Sequence, residues 1–143
     1  MFRGNYEHTI DRKGRLSIPS KFREVLKENY DEKLIITRYE NCLVGYPVEE
    51  WIKLERKIAS LPQHNKNVIA FQRFLVSSAV ECPVDKQGRV LIPQYLRSHA
   101  ELDKEVILAG IINKIEFWNK VRWDEGMKNT SERFGEIGED LGI

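Results

Sequence analysis

The chain has 143 residues, of which 41% are hydrophobic and 31% are charged, and its formal net charge is +1. This length and composition fit one globular domain or two very small ones, and they exclude a fibrous or intrinsically disordered chain. A total charge so close to neutral argues, by itself, against a protein that binds nucleic acid.

The first residues predict a β-hairpin followed by a helix. Tyr6–Ile10 is β-prone, Asp11–Gly14 has turn chemistry and Arg15–Ile18 alternates as a strand does, so the hairpin tip is expected at residues 12–14. Pro19 favours the start of a helix, because proline has no amide hydrogen to lose there. The next elements are expected as helix, strand, strand and helix, at Ser20–Lys27, Leu34–Thr37, Cys42–Tyr46 and from Pro47, the last helix carrying Trp51, Leu54, Ile58 and Leu61.

The segment Glu7–Pro19 recurs 74 residues later as Glu81–Pro93. Both copies have the pattern apolar-Asp-basic-x-Gly-Arg-apolar-x-Ile-Pro, and the match continues to Arg23 and Arg97. A tandem duplication is therefore predicted, with a first repeat at 1–54, a helical connector at 55–79, a second repeat at 80–123 and a helix end with an acidic tail at 124–143. The elements of the second repeat are expected at Pro93–Ala100, Glu105–Ala109, Lys114–Trp118 and from about Asn119.

Two segments outside the repeats carry their own expectations. The connector is expected to contain a helix with an apolar face, formed by Val68, Phe71, Phe74, Leu75 and Ser78. That face either packs on its own chain or docks on a neighbouring subunit, and the sequence leaves both possibilities open. Gly135–Ile143 has three glycines in nine residues and is expected to be poorly ordered.

The charge is unevenly distributed, because residues 1–27 carry a net +4 and residues 124–143 a net −4. The repeated turns hold cations, which are Arg12, Lys13 and Arg15 in the first copy and Lys86 and Arg89 in the second. An arginine beside a turn can bind a phosphate or the major-groove edge of guanine, whereas lysine suits a phosphate. The turn aspartates Asp11 and Asp85 can also pair with Arg15 and Arg89 to fix the turns, and the two roles can coexist.

These motifs closely resemble the MraZ family of bacterial transcriptional regulators. The resemblance is carried by Met1–Gly4, by the blocks Asp11–Pro19 and Asp85–Pro93 and by Asn113–Trp118, and it extends from Met1 to about Trp123. Each half is similar to a SpoVT–AbrB domain, the swapped-hairpin module also found in MazE-type antitoxins. The resemblance implies an α+β, mainly β fold in which two tandem-duplicated AbrB-like halves form one pseudo-symmetric β-barrel with flanking helices.

The resemblance also implies a function and a site. It implies a sequence-specific regulator, expected to be a repressor, that binds G-rich direct repeats in double-stranded promoter DNA of the division and cell-wall gene cluster and of its own gene. It further implies a homo-oligomeric ring and a cytoplasmic, nucleoid-associated protein. The DNA-binding residues are then expected to be Arg3, Arg12, Lys13, Arg15, Lys86 and Arg89, and the turn-structuring residues Asp11, Gly14, Asp85 and Gly88. Because Gln87 stands where the first copy has Lys13, the first turn is expected to contribute more to affinity.

Other classes of protein are less compatible with the sequence. His8, His64 and His99 form no HExxH pair, and no GxSxG or phosphate-loop motif is present, so no enzymatic activity, cofactor, metal or small-molecule substrate is expected. Cys42 and Cys82 are expected to be isolated reduced thiols. No apolar run or N-terminal signal indicates a membrane partner. An antitoxin-like or scaffold module that binds protein without DNA specificity is the alternative, although a scaffold does not need the cations on the two turns.

Overall fold

In the computed structural model, which describes residues 1–143, the two halves of the chain repeat the same order of elements. The first half contains β1 (Asn5–Thr9), β2 (Arg15–Ser17), α1 (Ser20–Asn29), β3 (Lys33–Tyr39), β4 (Cys42–Pro47) and α2 (Val48–Ala59). After α3 (Lys66–Leu75), the second half contains β5 (Val80–Pro83), β6 (Arg89–Leu91), α4 (Gln94–Ala100), β7 (Glu105–Ile111), β8 (Lys114–Asn119) and α5 (Lys120–Leu141). None of these helices combines the length and apolarity needed to cross a membrane. The fold is α+β, as expected, but it is not mainly β, because the five helices together hold more residues than the eight strands.

The two halves exchange strands. The main sheet has six strands in the order β1-β7-β8-β4-β3-β5, and β2 pairs with β6 in a separate two-stranded sheet. β1 pairs with β7 of the other half, and β5 pairs with β3, so the exchange is reciprocal. β4 and β8 meet at the centre, where Val44 lies opposite Glu116. Neither half therefore completes the sheet without the other.

The expected hairpin needs correction, and the expected β-barrel is not confirmed. A turn is present between β1 and β2, but these strands pair with β7 and β6 and not with each other. The main sheet is open, with β1 and β5 as its two edges. β1 and β2 pair outside their own half, and each turn is hydrogen-bonded to the opposite half. Ile92 donates its N–H to the carbonyl oxygen of Gly14, and Ile18 donates its N–H to that of Gly88, both at 2.8 Å.

One apolar core is shared by the two halves and fixes the short strands β2 and β6. Leu16 of β2 and Val90 of β6 are at most 1% exposed and belong to the same core cluster. Burying such a side chain contributes roughly 1.5–3 kcal/mol. Because side chains alternate along a strand, Arg15 and Arg89 are directed away from this core. The residues that anchor the strands thus also orient the cations outward.

α3 packs on its own chain mainly through Leu75, and Phe74 also contacts His99 and Arg38, but two of its aromatic side chains stay largely exposed. Leu75 is 3% exposed in a second cluster with Trp51 and Ile58, and its carbonyl oxygen accepts the hydroxyl of Thr37 at 2.5 Å. α2 ends at Ala59, so Leu61 is not part of it and is 42% exposed. Phe71 and Phe74 of α3 are 46% and 42% exposed. These two side chains keep the possibility of subunit docking open.

The expectation of a poorly ordered tail is wrong. α5 continues to Leu141 and ends at Gly142, whose φ of 72° is the left-handed conformation that glycine favours after a helix. Asn119 begins the helix, because its side chain accepts the N–H of Arg122. Each glycine inside a helix costs about 1 kcal/mol, but extending a helix that has already formed needs no new nucleation.

Candidate nucleic-acid interface

Asp11 organises the turn between β1 and β2. Its Oδ1 accepts the backbone N–H groups of Lys13 and Arg15, both at 2.9 Å, and its Oδ2 accepts the Nε–H of Arg15 at 2.6 Å. The backbone N–H of Arg15, assisted by its guanidinium and the N–H of Lys13, lowers the pKa of the Asp11 carboxyl below its ordinary value. The expected pairing across the turn is therefore present.

Asp85 organises the second turn in the same way but holds its arginine differently. Its Oδ1 accepts the backbone N–H groups of Gln87 and Arg89 at 2.9 Å, and the N–H of Arg89 is the main cause of its lowered pKa. The Nε of Arg89 lies 3.5 Å from Oδ2 of Asp85 without forming a hydrogen bond. Its Nη2 donates instead to the side-chain oxygen of Gln87. With Gln87 in place of a lysine, the second turn has one cation fewer, and Nη2 of Arg89 is already hydrogen-bonded within the chain.

Arg15 keeps most of its hydrogen-bonding capacity available. Of its side-chain donors only the Nε–H is hydrogen-bonded within the chain, and 39% of the side chain is exposed. The two terminal nitrogens carry four further N–H donors in a planar fork. Such a fork can bind a phosphate or the O6 and N7 of guanine in a bidentate manner. The ion pair with Asp11 fixes the direction of this fork and leaves its end free.

Cations from both turns line one open groove of about 800 Å³, together with the strands β5 and β6. Lys13, Arg15 and Arg89 all contribute to its wall. Two carboxylates also line it, but both are already engaged: Asp85 holds its own turn, and Glu81 pairs with Lys33 at 3.0 Å. The groove is therefore suited to an anion.

The remaining predicted cations lie in different places. Arg12 and Lys86 are exposed, within the turns themselves. Arg3 is also exposed, but it lies beside Lys21 and Glu24 in a separate depression of about 250 Å³ that shares no residue with the groove. The structure thus places Lys13, Arg15 and Arg89 on one groove, whereas Arg12, Lys86 and Arg3 are not among the residues that line it.

Two arginines to which the sequence analysis gives no role support the turns. The Nε of Arg97 donates to the carbonyl oxygen of Ile92 at 2.9 Å, and a Cβ placed on Gly14 would lie 2.7 Å from that nitrogen. Arg23 covers Gly88 equivalently, with 2.8 Å to its guanidinium carbon. The only signal for them in the sequence is that Arg23 and Arg97 recur at the repeat spacing. This spacing indicates that the two arginines are equivalent in the two halves, but it does not indicate that each contacts the opposite half.

The cysteines are not part of this chemistry. Burial raises the pKa of the Cys42 and Cys82 thiols to about 12 in each case, and nearby Glu116 and Glu81 respectively add to the effect. Cys82 lies in the wall of the groove but is only 2% exposed. Nowhere do three His, Cys, Asp or Glu side chains come together as a metal site would require.

Comparison with known proteins gives a consistent result over the full length. The family model described as "MraZ protein, putative antitoxin-like" matches residues 1–74 and again residues 75–140. A protein named transcriptional regulator MraZ from Pediococcus pentosaceus is 49% identical over 142 residues, which cover 99% of this chain and 96% of that protein. The protein of the same name from Caldanaerobacter subterraneus subsp. tengcongensis has the same identity and coverage. The solution structure of PHS018 from Pyrococcus horikoshii, at 17% identity, aligns over 82% of this chain and 88% of that one with a TM-score of 0.36.

Proposed function

This chain belongs to the MraZ family of transcriptional regulators, and we propose that it acts by binding double-stranded promoter DNA through its two Asp-x-x-Gly-Arg turns, Asp11–Arg15 and Asp85–Arg89. Its targets in this proposal are G-rich direct repeats upstream of the division and cell-wall gene cluster, which includes its own gene, and the effect is repression. The protein then works in the cytoplasm, associated with the nucleoid, and has no enzymatic activity.

The observation that carries this proposal is the groove in which Lys13, Arg15 and Arg89 meet while the neighbouring carboxylates are already engaged. Cations held on a fixed backbone, with N–H donors still free, suit a polyanion, because little conformational freedom is lost on binding. The free fork of Arg15 has the geometry to select guanine, which agrees with a G-rich site. The exposed side chains of Arg12 and Lys86 then supply sequence-independent contacts with phosphates.

A single subunit offers few such contacts, so the proposal includes assembly into a homo-oligomer, with a ring as its form. α3 exposes Phe71 and Phe74 beside an open depression of about 420 Å³. The far end of α5 exposes Phe134 and Leu141, which are 71% and 68% accessible, among acidic residues. Two different exposed apolar surfaces support a head-to-tail contact between copies, and head-to-tail contacts that close generate rings. Several turns on one assembly would reach repeated DNA elements at high effective concentration.

Gel-shift titration with the DNA upstream of the protein's own gene tests the DNA contact. Arg15→Ala is expected to weaken binding roughly tenfold or more, since a lost bidentate contact is worth about 1–3 kcal/mol. Arg89→Ala is expected to cost less, because Arg89 already donates to Gln87. Arg56→Ala is the matched control, because it removes an exposed arginine of α2 that lies outside the groove and outside both proposed assembly surfaces. Unchanged affinity in Arg15→Ala would overturn the proposal.

Light scattering coupled to size exclusion tests assembly separately. The double variant Phe71→Ser and Phe74→Ser is expected to yield a smaller species than the wild type. Ile112→Asn, which removes a 60% exposed apolar side chain elsewhere and places Asn at a φ of 64°, is expected to leave the size unchanged. A wild-type protein that is already monomeric at micromolar concentration would contradict the oligomer, without affecting the DNA contact.

The alternative, a protein-binding module without DNA specificity, makes a different prediction for the salt dependence. DNA binding releases counterions, so the affinity should fall steeply as salt is raised. A flat salt response, combined with an Arg15→Ala variant that binds DNA as the wild type does, would favour the alternative.

A further inference from the structure

We propose that Arg97 positions the first DNA-contacting turn from the opposite half of the chain, and that Arg23 does the same for the second turn. Each turn would then be held in its binding conformation by the other repeat. This inference rests on the proposed DNA contact for its functional consequence, but its structural part can be measured without DNA.

Arg97 contacts the first turn at two points, and at a third point it contacts Ile92, which is bonded to that turn. Its Nε donates to the carbonyl oxygen of Ile92 at 2.9 Å, and Ile92 in turn donates its backbone N–H to Gly14 at 2.8 Å. Its Nη1 donates to the carbonyl oxygen of Arg12 at 3.5 Å. Its guanidinium also covers Gly14, since a Cβ there would lie 3.1 Å from the guanidinium carbon. The turn between Asp11 and Arg15 is therefore fixed from outside as well as by Asp11.

Arg23 makes the reciprocal contact. Its Nε donates to the carbonyl oxygen of Ile18 at 3.0 Å, and Ile18 donates its N–H to Gly88 at 2.8 Å. A Cβ on Gly88 would lie 2.8 Å from both the guanidinium carbon and Nη1 of Arg23. No hydrogen bond from Arg23 reaches the backbone of the second turn in the way that Arg97 reaches Arg12. Arg97 is therefore the stronger of the two supports.

The contacts of Arg97 need a guanidinium group. The guanidinium of Arg97 lies against the buried Gly14 while its nitrogens donate to two carbonyl oxygens. Lysine has a single ammonium group, which cannot cover the glycine and bond to both oxygens at once. Both turns need glycine at this point, because Gly14 and Gly88 have φ values of 91° and 79°. Glycine and arginine thus form matched pairs across the two halves.

A positioning residue acts only through its own turn, and this gives a specific test. We expect Arg97→Ala to lower DNA affinity roughly five- to tenfold in the wild-type background and by the same factor together with Arg89→Ala. Together with Arg15→Ala it should add little, because the first turn is then already disabled. Arg97→Lys keeps the charge and should lose most of the same affinity.

Amide NMR of the DNA-free protein gives the independent readout. In Arg97→Lys the amide signals of residues 12–15 should shift and exchange faster with solvent, while those of residues 86–89 stay close to the wild type; Arg23→Lys should show the opposite pattern. Full additivity with Arg15→Ala, or NMR signals of the first turn that do not respond to Arg97→Lys, would overturn the inference. If Arg15→Ala bound DNA normally, the proposed function would fail, and the NMR result would still decide whether Arg97 positions the turn.

Discussion

The backbone N–H of Ile92 donates to the carbonyl oxygen of Gly14 at 2.8 Å, joining the turn of the first half to the strand end of the second. Gly14 is buried between the carbonyl oxygen of Ile92 and the guanidinium of Arg97. A side chain at this position would meet both a strained φ and a lack of space. Turn shape and the joining of the two halves therefore depend on the same residue.

Gly14→Ala is expected to lower the free energy of unfolding by roughly 1–3 kcal/mol, because the positive φ strains an L-residue and its Cβ would lie 2.5 Å from the oxygen of Ile92. Gly126→Ala is the matched control, since that glycine lies inside α5 with nothing within 4 Å of its Cβ position. It should raise the stability by about 0.5–1 kcal/mol. Urea unfolding monitored by circular dichroism measures both. Equal effects of the two substitutions would show that the Gly14 contact is dispensable.

Gln87→Lys is expected to increase DNA affinity. The change adds a cation where the first turn has Lys13, and it frees the Nη2 of Arg89 from the Gln87 oxygen. Affinity should rise roughly three- to tenfold, and the slope of log K against log salt should steepen by about 0.9 for one additional phosphate contact. Lys13→Gln should do the reverse at the first turn. An unchanged slope in both variants would mean that these positions do not contact phosphates.

The stabilising effect of Asp11 should disappear in acid. Its pKa in the folded protein lies below 3.8, the value expected in the unfolded chain, mainly because the backbone N–H of Arg15 bonds to the ionised form. The unfolded state therefore binds the proton more readily, so the contribution is full above the unfolded pKa and is lost as the pH falls through the lower, folded one. The stability difference between wild type and Asp11→Asn should thus shrink below pH 3.8. Asp103→Asn, at an exposed aspartate without an ion pair, is the control, and a pH-independent difference for Asp11 would contradict this role.

Neither cysteine should react with a thiol reagent in the native protein. Burial raises the pKa of both thiols to about 12, so at neutral pH almost none of the reactive thiolate is present. The variants Cys42→Ser and Cys82→Ser each retain one cysteine, so they report on the two thiols separately. In both variants the reaction with Ellman's reagent should be fast in denaturant and slow in the native protein. Fast native labelling of the variant that retains Cys82 would show that the wall of the groove opens, since that residue is only 2% exposed.

The order and type of the elements follow closely from local patterns. The sequence predicts α1 at Ser20–Lys27, and the helix spans Ser20–Asn29; α5 begins after Asn119, as the sequence also predicts. Proline at a helix start and alternation along a strand act within a few residues, so one sequence is enough to detect them. Local patterns lead to the wrong expectation for residues 135–143, which continue α5 to Leu141. Glycines hinder the start of a helix, but they do not always end a helix that has already formed.

Strand partners could not be derived in this way. Alternation indicates which face of a strand is buried, but it carries no information about which strand lies next to it. The pattern from Asp11 to Arg15 correctly predicted a turn, although β1 and β2 leave it to join β7 and β6. The contacts of Arg23 and Arg97 depend on that exchange, so their role became visible only with the fold.

The exchange of strands between the halves has a consequence for synthesis of the chain. β1 emerges early from the ribosome, yet Asn5 pairs with Ala109, which is translated more than 100 residues later. At a translation rate of roughly 5–20 residues per second, β1 has no native partner strand for roughly 5–20 s. During that interval the nascent first half carries unpaired strands, and these could pair with those of another unfinished chain on the same message. Translation speed through the second half is therefore expected to influence how much of the protein folds as single chains.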